Sequence, residues 1–224
     1  MSHPLVRVLV SAGFLGLAAL VTASLWMLPA GGPPVDLPAA VAGRLAASGV
    51  EHPVTAVLLN FRAFDTLLEV AVLLVALLGA HSATRPVALA PLARDPVLDV
   101  AARVLIPLML LTAVYLLWAG AQRPGGAFQG AAVAAAAGVL LVLAGLAPRS
   151  LRPRPAVRAL LVLGPAVFLA VAVSGGARLL EMPPAQAGAR ILAVEAALTV
   201  SLALLLWALF LCLAAPPGDR DGAR

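Results

Sequence analysis

Six apolar stretches, each about as long as a bilayer is thick, limit what this chain can become. They occupy residues 5–28, 54–80, 101–120, 126–147, 157–176 and 189–214. A helix of ~20 residues rises ~30 Å, enough to cross the hydrocarbon of a membrane. The composition leaves no water-soluble alternative: 62% of the 224 residues are hydrophobic and 11% are charged, whereas a soluble domain carries roughly a quarter charged residues. Between the stretches lie punctuated spacers such as 29–34 (Pro-Ala-Gly-Gly-Pro-Pro) and 148–155, rich in Pro and Arg. The polar/apolar alternation of a membrane barrel strand is absent, and backbone groups in lipid must pair within their own segment. The chain therefore reads as an all-α polytopic membrane protein with six transmembrane helices.

The charges narrow it further. All 15 cationic residues are arginine, so no lysine can carry a proton or form a Schiff base. Cys212 is the one cysteine, which excludes an internal disulfide and a cysteine-based metal site. A pI near 11.2 suggests nucleic acid at first. The arginines, however, are scattered beside apolar spans, where membrane orientation accounts for them better than a nucleic-acid partner. Arg7, Arg85, Arg94, Arg103, Arg149, Arg152, Arg154, Arg158, Arg220 and Arg224 fall on the side of the two termini and even-numbered loops; Arg44, Arg123, Arg178 and Arg190 fall on the other. That imbalance predicts cytoplasmic N- and C-termini. The first stretch exceeds the usual 7–15-residue core of a signal peptide, and 23–30 is a poor cleavage region, so it is expected to be retained as a span.

The second stretch is the unusual one, because Arg62, Asp65 and Glu69 interrupt it. On a continuous helix Asp65 and Glu69 lie about 40° apart and Arg62 about 60° from Asp65, so the three share a narrow face. Near the middle of a span such residues cost roughly 2.5–3.5 kcal/mol apiece, against roughly 0.3–0.6 gained for each Leu or Val. They must face protein or water. Two carboxylates one turn apart repel when both are ionised, and Arg62 would keep Asp65 charged, leaving Glu69 as the better proton acceptor. The bland reading is a structural ion pair that pins this helix to a neighbour; the functional one is a proton or cation relay.

Other polar marks are weaker. Glu195, two turns into the last stretch, either lines an ion path or sits at a helix N-terminus that favours negative charge. His3, His52 and His81 lie at span ends without ligand spacing, and Glu181 is expected to be solvated. Gly126, Gly130, Ala134 and Gly138 recur every four residues, a stripe that lets helices approach closely. Pro124-Gly125-Gly126 forms a tight turn that makes the third and fourth spans antiparallel neighbours, and Pro107 and Pro165 should kink theirs. No nucleophile elbow, phosphate loop, HExxH or dinucleotide loop is present, so neither an enzyme nor a cofactor is expected.

Two stretches go beyond composition. Residues 52–80, HPVTAVLLNFRAFDTLLEVAVLLVALLGA, resemble the short subunit called MbhE in membrane-bound hydrogenases, which also forms the C-terminal end of the A subunit of Mrp-type Na+/H+ antiporters. Arg62, Asp65, Thr66, Leu67 and Glu69 match its R-G-[FY]-D-T-L-G-E pattern, with Ala63 and Leu68 in place of glycines. Residues 103–145 resemble the Mrp B subunit, MnhB, with its P-G-G-G-F-x-G turn, in which Ala127 replaces the third glycine. Glu195 falls where that family usually has an acidic residue. The resemblance implies an MbhE-like two-helix unit (1–90) joined to an MnhB-like four-helix unit (91–224). It further implies a subunit of a multisubunit Na+/H+ antiporter in the cell membrane, with large A- and D-type and small C-, E-, F- and G-type subunits as partners and sodium and protons as cargo. Glu69, Asp65, Arg62, Thr66 and Glu195 would then contribute to the ion path, Thr66 adding a hydroxyl to hard carboxylate oxygens. Gly125, Gly126, Gly130 and Gly138 would serve helix packing. The same resemblance allows an ion-translocating subunit of a hydrogenase or related redox complex, and a purely structural scaffold is the third reading.

Overall fold

Proline opens most of the helices. A computed structural model describes residues 4–27, 35–83, 95–147, 154–175 and 182–213. The spacers at 29–34 and 148–153, His3, Glu181, Arg85, Arg94, Arg149, Arg152, Arg178, Arg220 and Arg224 lie outside the described residues. The helices are α1 (Pro4–Trp26), α2 (Leu37–Ala42), α3 (Pro53–Ala56), α4 (Ala63–Ala83), α5 (Pro96–Ala119), α6 (Ala127–Leu143), α7 (Pro155–Ser174) and α8 (Pro184–Leu213). A proline in first place loses no hydrogen bond, because the N–H it lacks would have had no helical acceptor. At α5 the start is doubly marked: the Asp95 side chain accepts from the Val97 N–H at 2.9 Å, and Asp99 in the first turn faces the positive end of the helix dipole. Among the described residues there is no strand.

The chain divides into two compact units, Met1–Ala40 and Val41–Arg224. The first contains α1, whose residues 11–26 are exposed within it. In the second, α8 is the central helix and packs on α4, α6 and α7, while α5 packs on α6. Its buried residues follow a helical stripe, Ala187, Ile191, Val194, Leu198, Leu202, Leu205 and Ala208, that meets Val70 and Leu77 of α4, Ala131 of α6 and Phe168 and Ala172 of α7. Ala102 and Ile106 of α5 close a second cluster against Ala137 of α6.

Each of the six apolar stretches carries helix, and among the described residues four helices are long and apolar enough to cross a membrane: Ala63–Ser82, Pro96–Ala119, Pro155–Ser174 and Pro184–Cys212. Ala127–Leu143 is apolar but shorter, and its 17 residues rise only about 25 Å. One expectation changes, and it concerns the second stretch, which is not one continuous helix. After α3 it widens into a π-helical turn over Val57–Phe61, and the backbone leaves helical geometry at Arg62 (φ −129°, ψ 33°) before α4 begins. The Arg62 N–H reaches back five residues to the Val57 carbonyl at 2.8 Å, and the Thr66 hydroxyl donates to the Leu58 carbonyl at 2.6 Å. A side-chain donor thus serves the interrupted ladder, as irregular backbone in an apolar setting requires. The wheel geometry of Arg62, Asp65 and Glu69 therefore holds for the two acids alone.

The prolines are accommodated differently. Helix α5 runs through Pro107 and α7 through Pro165. Pro165 cannot donate to the carbonyl four residues before it, that of Leu161. The Ser201 hydroxyl of α8 supplies the missing donor at 2.6 Å. Gly164 makes room, since a Cβ there would lie 2.9 Å from the Ser201 Cβ.

Candidate functional site

Loop geometry brings distant residues together at one end of α8. The segment before α3 docks on the α5–α6 turn: the Glu51 and His52 N–H groups both donate to the Ala121 carbonyl, at 2.9 and 3.0 Å, and the Thr55 hydroxyl donates to the Gly120 carbonyl. Asn60 donates from Nδ2 to the Ser48 carbonyl at 3.0 Å. Gly49, at φ +78°, lets this segment touch α8, for a Cβ there would lie 2.7 Å from the Gly188 nitrogen.

Glu195 is the centre of the arrangement. It is 3% exposed, and the N–H of Ala127, the first residue of α6, donates to its carboxylate. The negative charge expected at a helix N-terminus is thus found there, at the start of α6 rather than of its own helix. The turn is shaped around it. Gly126 adopts φ +109°, and a Cβ at that position would lie 2.7 Å from Glu195 Oε1; at Gly120 it would lie 3.2 Å away. Thr199, one turn further along α8, donates to the Glu195 backbone carbonyl at 2.7 Å. Among the described residues the ion pairs are Arg62–Asp65 and Arg103–Asp99, so Glu195 has no cationic partner there.

Beside the carboxylate lies a cavity of about 40 Å³, lined by Thr55, Leu58, Thr66, Gln129, Glu195 and Leu198 among others. That is room for about two or three waters. Its side-chain oxygens are hard: a carboxylate, the Gln129 amide and two threonine hydroxyls, the hydroxyls both already donating to backbone carbonyls and so presenting lone pairs. Such a set suits a proton, water or an alkali cation better than a transition metal. Among the described residues no group of three metal-ligating side chains comes together.

The residues singled out from sequence fall into two places. Thr66, buried to 1% exposure, and Glu195 share the cavity. Arg62 and Asp65 pair with each other on the outside, with side chains 71% and 46% exposed. Glu69 is exposed too. The glycines find separate neighbours. A Cβ at Gly125 would lie 2.6 Å from the Leu116 carbonyl, one at Gly130 2.8 Å from the Ala113 carbonyl of α5, and one at Gly138 2.9 Å from the Trp207 ring of α8. Sequence reasoning missed Thr55 and Gln129, and it missed Ser201 as the partner of Leu161. No spacing signals them, because each meets its neighbours only through tertiary packing.

Comparisons with known proteins find one family and two similar folds. A model of domains related to the MnhB subunit of the Na+/H+ antiporter matches residues 97–215. The solved Mrp complex from Dietzia sp. DQ12-45-1b contains a chain similar in fold, with a TM-score of 0.67 and 23% identity over 99% of this chain. This chain spans only 27% of that one. A chain of the membrane-bound sulfane sulfur reductase, an archaeal respiratory membrane complex, is similar with a TM-score of 0.66 and 22% identity, covering 93% of this chain and 98% of that one. No functionally curated protein matches.

Proposed function

The chain belongs to the family of domains related to the MnhB subunit of Na+/H+ antiporters, and from that premise we propose that it is a multi-pass membrane subunit of an Mrp-type monovalent cation/proton antiporter, contributing carboxylates to the ion path. One observation carries the site assignment: Glu195, buried and without a cationic partner among the described residues, borders a small cavity that Thr66 also lines. A carboxylate in a low-dielectric interior needs a compensating charge or a proton. One that holds a proton or a sodium ion, but not both together, is the elementary device of antiport. Asp65 and Glu69, with Arg62 beside them, form a second acidic station on the outer side of the same broken span. The subunit performs no chemistry of its own and needs no cofactor.

Residues 1–90 are read as an MbhE-like unit and 91–224 as the MnhB-like one. The R-x-F-D-T-L-x-E string at Arg62–Glu69 supports this, as does the likeness to the two solved chains, which extends well ahead of residue 97. The partners on this reading are the other antiporter subunits, A-, D-, C-, E-, F- and G-type, in the cell membrane, with both termini cytoplasmic. A second reading, an ion-translocating subunit of a redox complex, is favoured by the sulfane sulfur reductase chain, which matches this one nearly end to end.

The test is cation-driven proton movement in inside-out vesicles bearing the whole complex. Glu195→Gln is expected to lower antiport at least tenfold while the amount of assembled complex is unchanged, and Glu69→Gln to lower antiport at least tenfold per assembled complex. Normal transport by Glu195→Gln would remove the cavity from the ion path and leave Glu195 as the cap of α6. Redox subunits that co-purify with the chain would decide for the second reading.

A further inference from the structure

The outer face of α4 carries a pattern that its own chain leaves unused. Asp65, Glu69, Val72, Ala76 and Gly79 follow one another at intervals of four, three, four and three residues, which on a helix makes a single stripe about 21 Å long. Glu69 and Ala76 are exposed, Asp65 is partly so, and Val72 is 65% exposed. A Cβ added at Gly79 would meet no atom within 4 Å. The stripe is therefore acidic at one end and small at the other. Small residues along a transmembrane helix let a second helix lie close. The acidic end selects what that helix carries. The Arg62 guanidinium is engaged by Asp65, and among the described residues Glu69 has no ion pair.

Acyl chains are a poor occupant. Glu69 lies six residues from the start of α4 and fourteen from its end, about 9 and 21 Å, so its short side chain reaches neither end of the span. A carboxylate surrounded by lipid at such depth is among the costliest placements in a membrane protein, and such groups face protein or water. Charge complementarity then names the partner's chemistry.

We infer that this stripe is the seat of a transmembrane helix from another membrane subunit, packed on Ala76 and Gly79 and presenting an arginine, lysine or histidine to Glu69. The inference rests on the multisubunit reading but not on any transport role for Glu195, so the two can fail separately. It also gives Asp65 and Glu69 the sheltered setting that charges within a span require.

The test uses the complex in its native membrane. In a Cys212→Ser background, Val72→Cys and Ala76→Cys are treated with a short bis-maleimide, with Leu111→Cys on the exposed face of α5 as the comparison. The expected result is that both stripe positions link to one transmembrane segment of another subunit, that this segment bears a basic residue, and that Leu111→Cys gives at least tenfold less of the same product. Glu69→Arg should then lower the recovered complex at least fivefold, and exchanging the partner's basic residue for glutamate should restore it. A link to a second copy of this chain or to its own α1 would overturn the proposal, as would a partner segment without a basic residue or no link at all. Normal antiport by Glu195→Gln with the links intact would count against the ion-path role and leave the seat standing.

Discussion

The hydroxyl of Ser201 offers the sharpest test of how the bundle is held together. It is fully buried and donates to the Leu161 carbonyl at 2.6 Å, the carbonyl that Pro165 leaves without its helical donor. Ser201→Ala keeps the Cβ that packs on Gly164 and removes only the donor. Stranding a buried carbonyl costs about 1–3 kcal/mol in soluble proteins, whereas hydrogen bonds between membrane helices average about 0.6 and reach about 1.7 kcal/mol. With a partly covered acceptor and a short bond, about 1 kcal/mol is expected, or ~2–4 °C in Tm for a chain of this size. The variant Pro165→Ala restores an N–H four residues after Leu161, so in that background the carbonyl has a partner within α7. There Ser201→Ala should cost only a few tenths of a kcal/mol, giving a coupling of about 0.5–1 kcal/mol between positions 165 and 201. The assay is unfolding of the four members of the cycle in mixed micelles titrated with SDS, followed by tryptophan fluorescence. Equal costs of Ser201→Ala in both backgrounds would refute the argument that the serine stands in for the proline's missing donor.

Two further outcomes follow from the same geometry. Gly130→Ala places a methyl 2.8 Å from the Ala113 carbonyl of α5, so it should destabilise the bundle by about 1–3 kcal/mol through forced separation of α5 and α6, whereas Gly79→Ala, with open space around it, should leave detergent unfolding of the isolated chain unchanged. Thr66→Val removes the donor to Leu58 at the break and should lower stability by about 1–2 kcal/mol; Thr66→Ser should recover most of that, and equal behaviour of the two would show that the hydroxyl does not hold the turn.

Composition and continuous apolar runs were enough to establish an all-α membrane protein, because apolar runs of ~20 residues have few other stable fates. The charged triplet was visible because ionisable side chains in such a run stand out by cost alone. What could not be read was which neighbour each polar group meets. The break at Arg62 sits in a stretch whose apolar pattern does not change, and it exists because Asn60, Thr66 and the α5–α6 turn offer hydrogen bonds from outside the local helix. Glu195 was legible as an acid near a helix N-terminus, but the helix is α6, which begins 68 residues earlier in the sequence. Thr66 and Glu195 lie 129 residues apart, and only the packing of α8 between α4 and α6 makes them walls of one cavity. Hydrophobic burial constrains each helix by itself; pairing of buried polar groups is satisfied across helices, and that is decided in three dimensions.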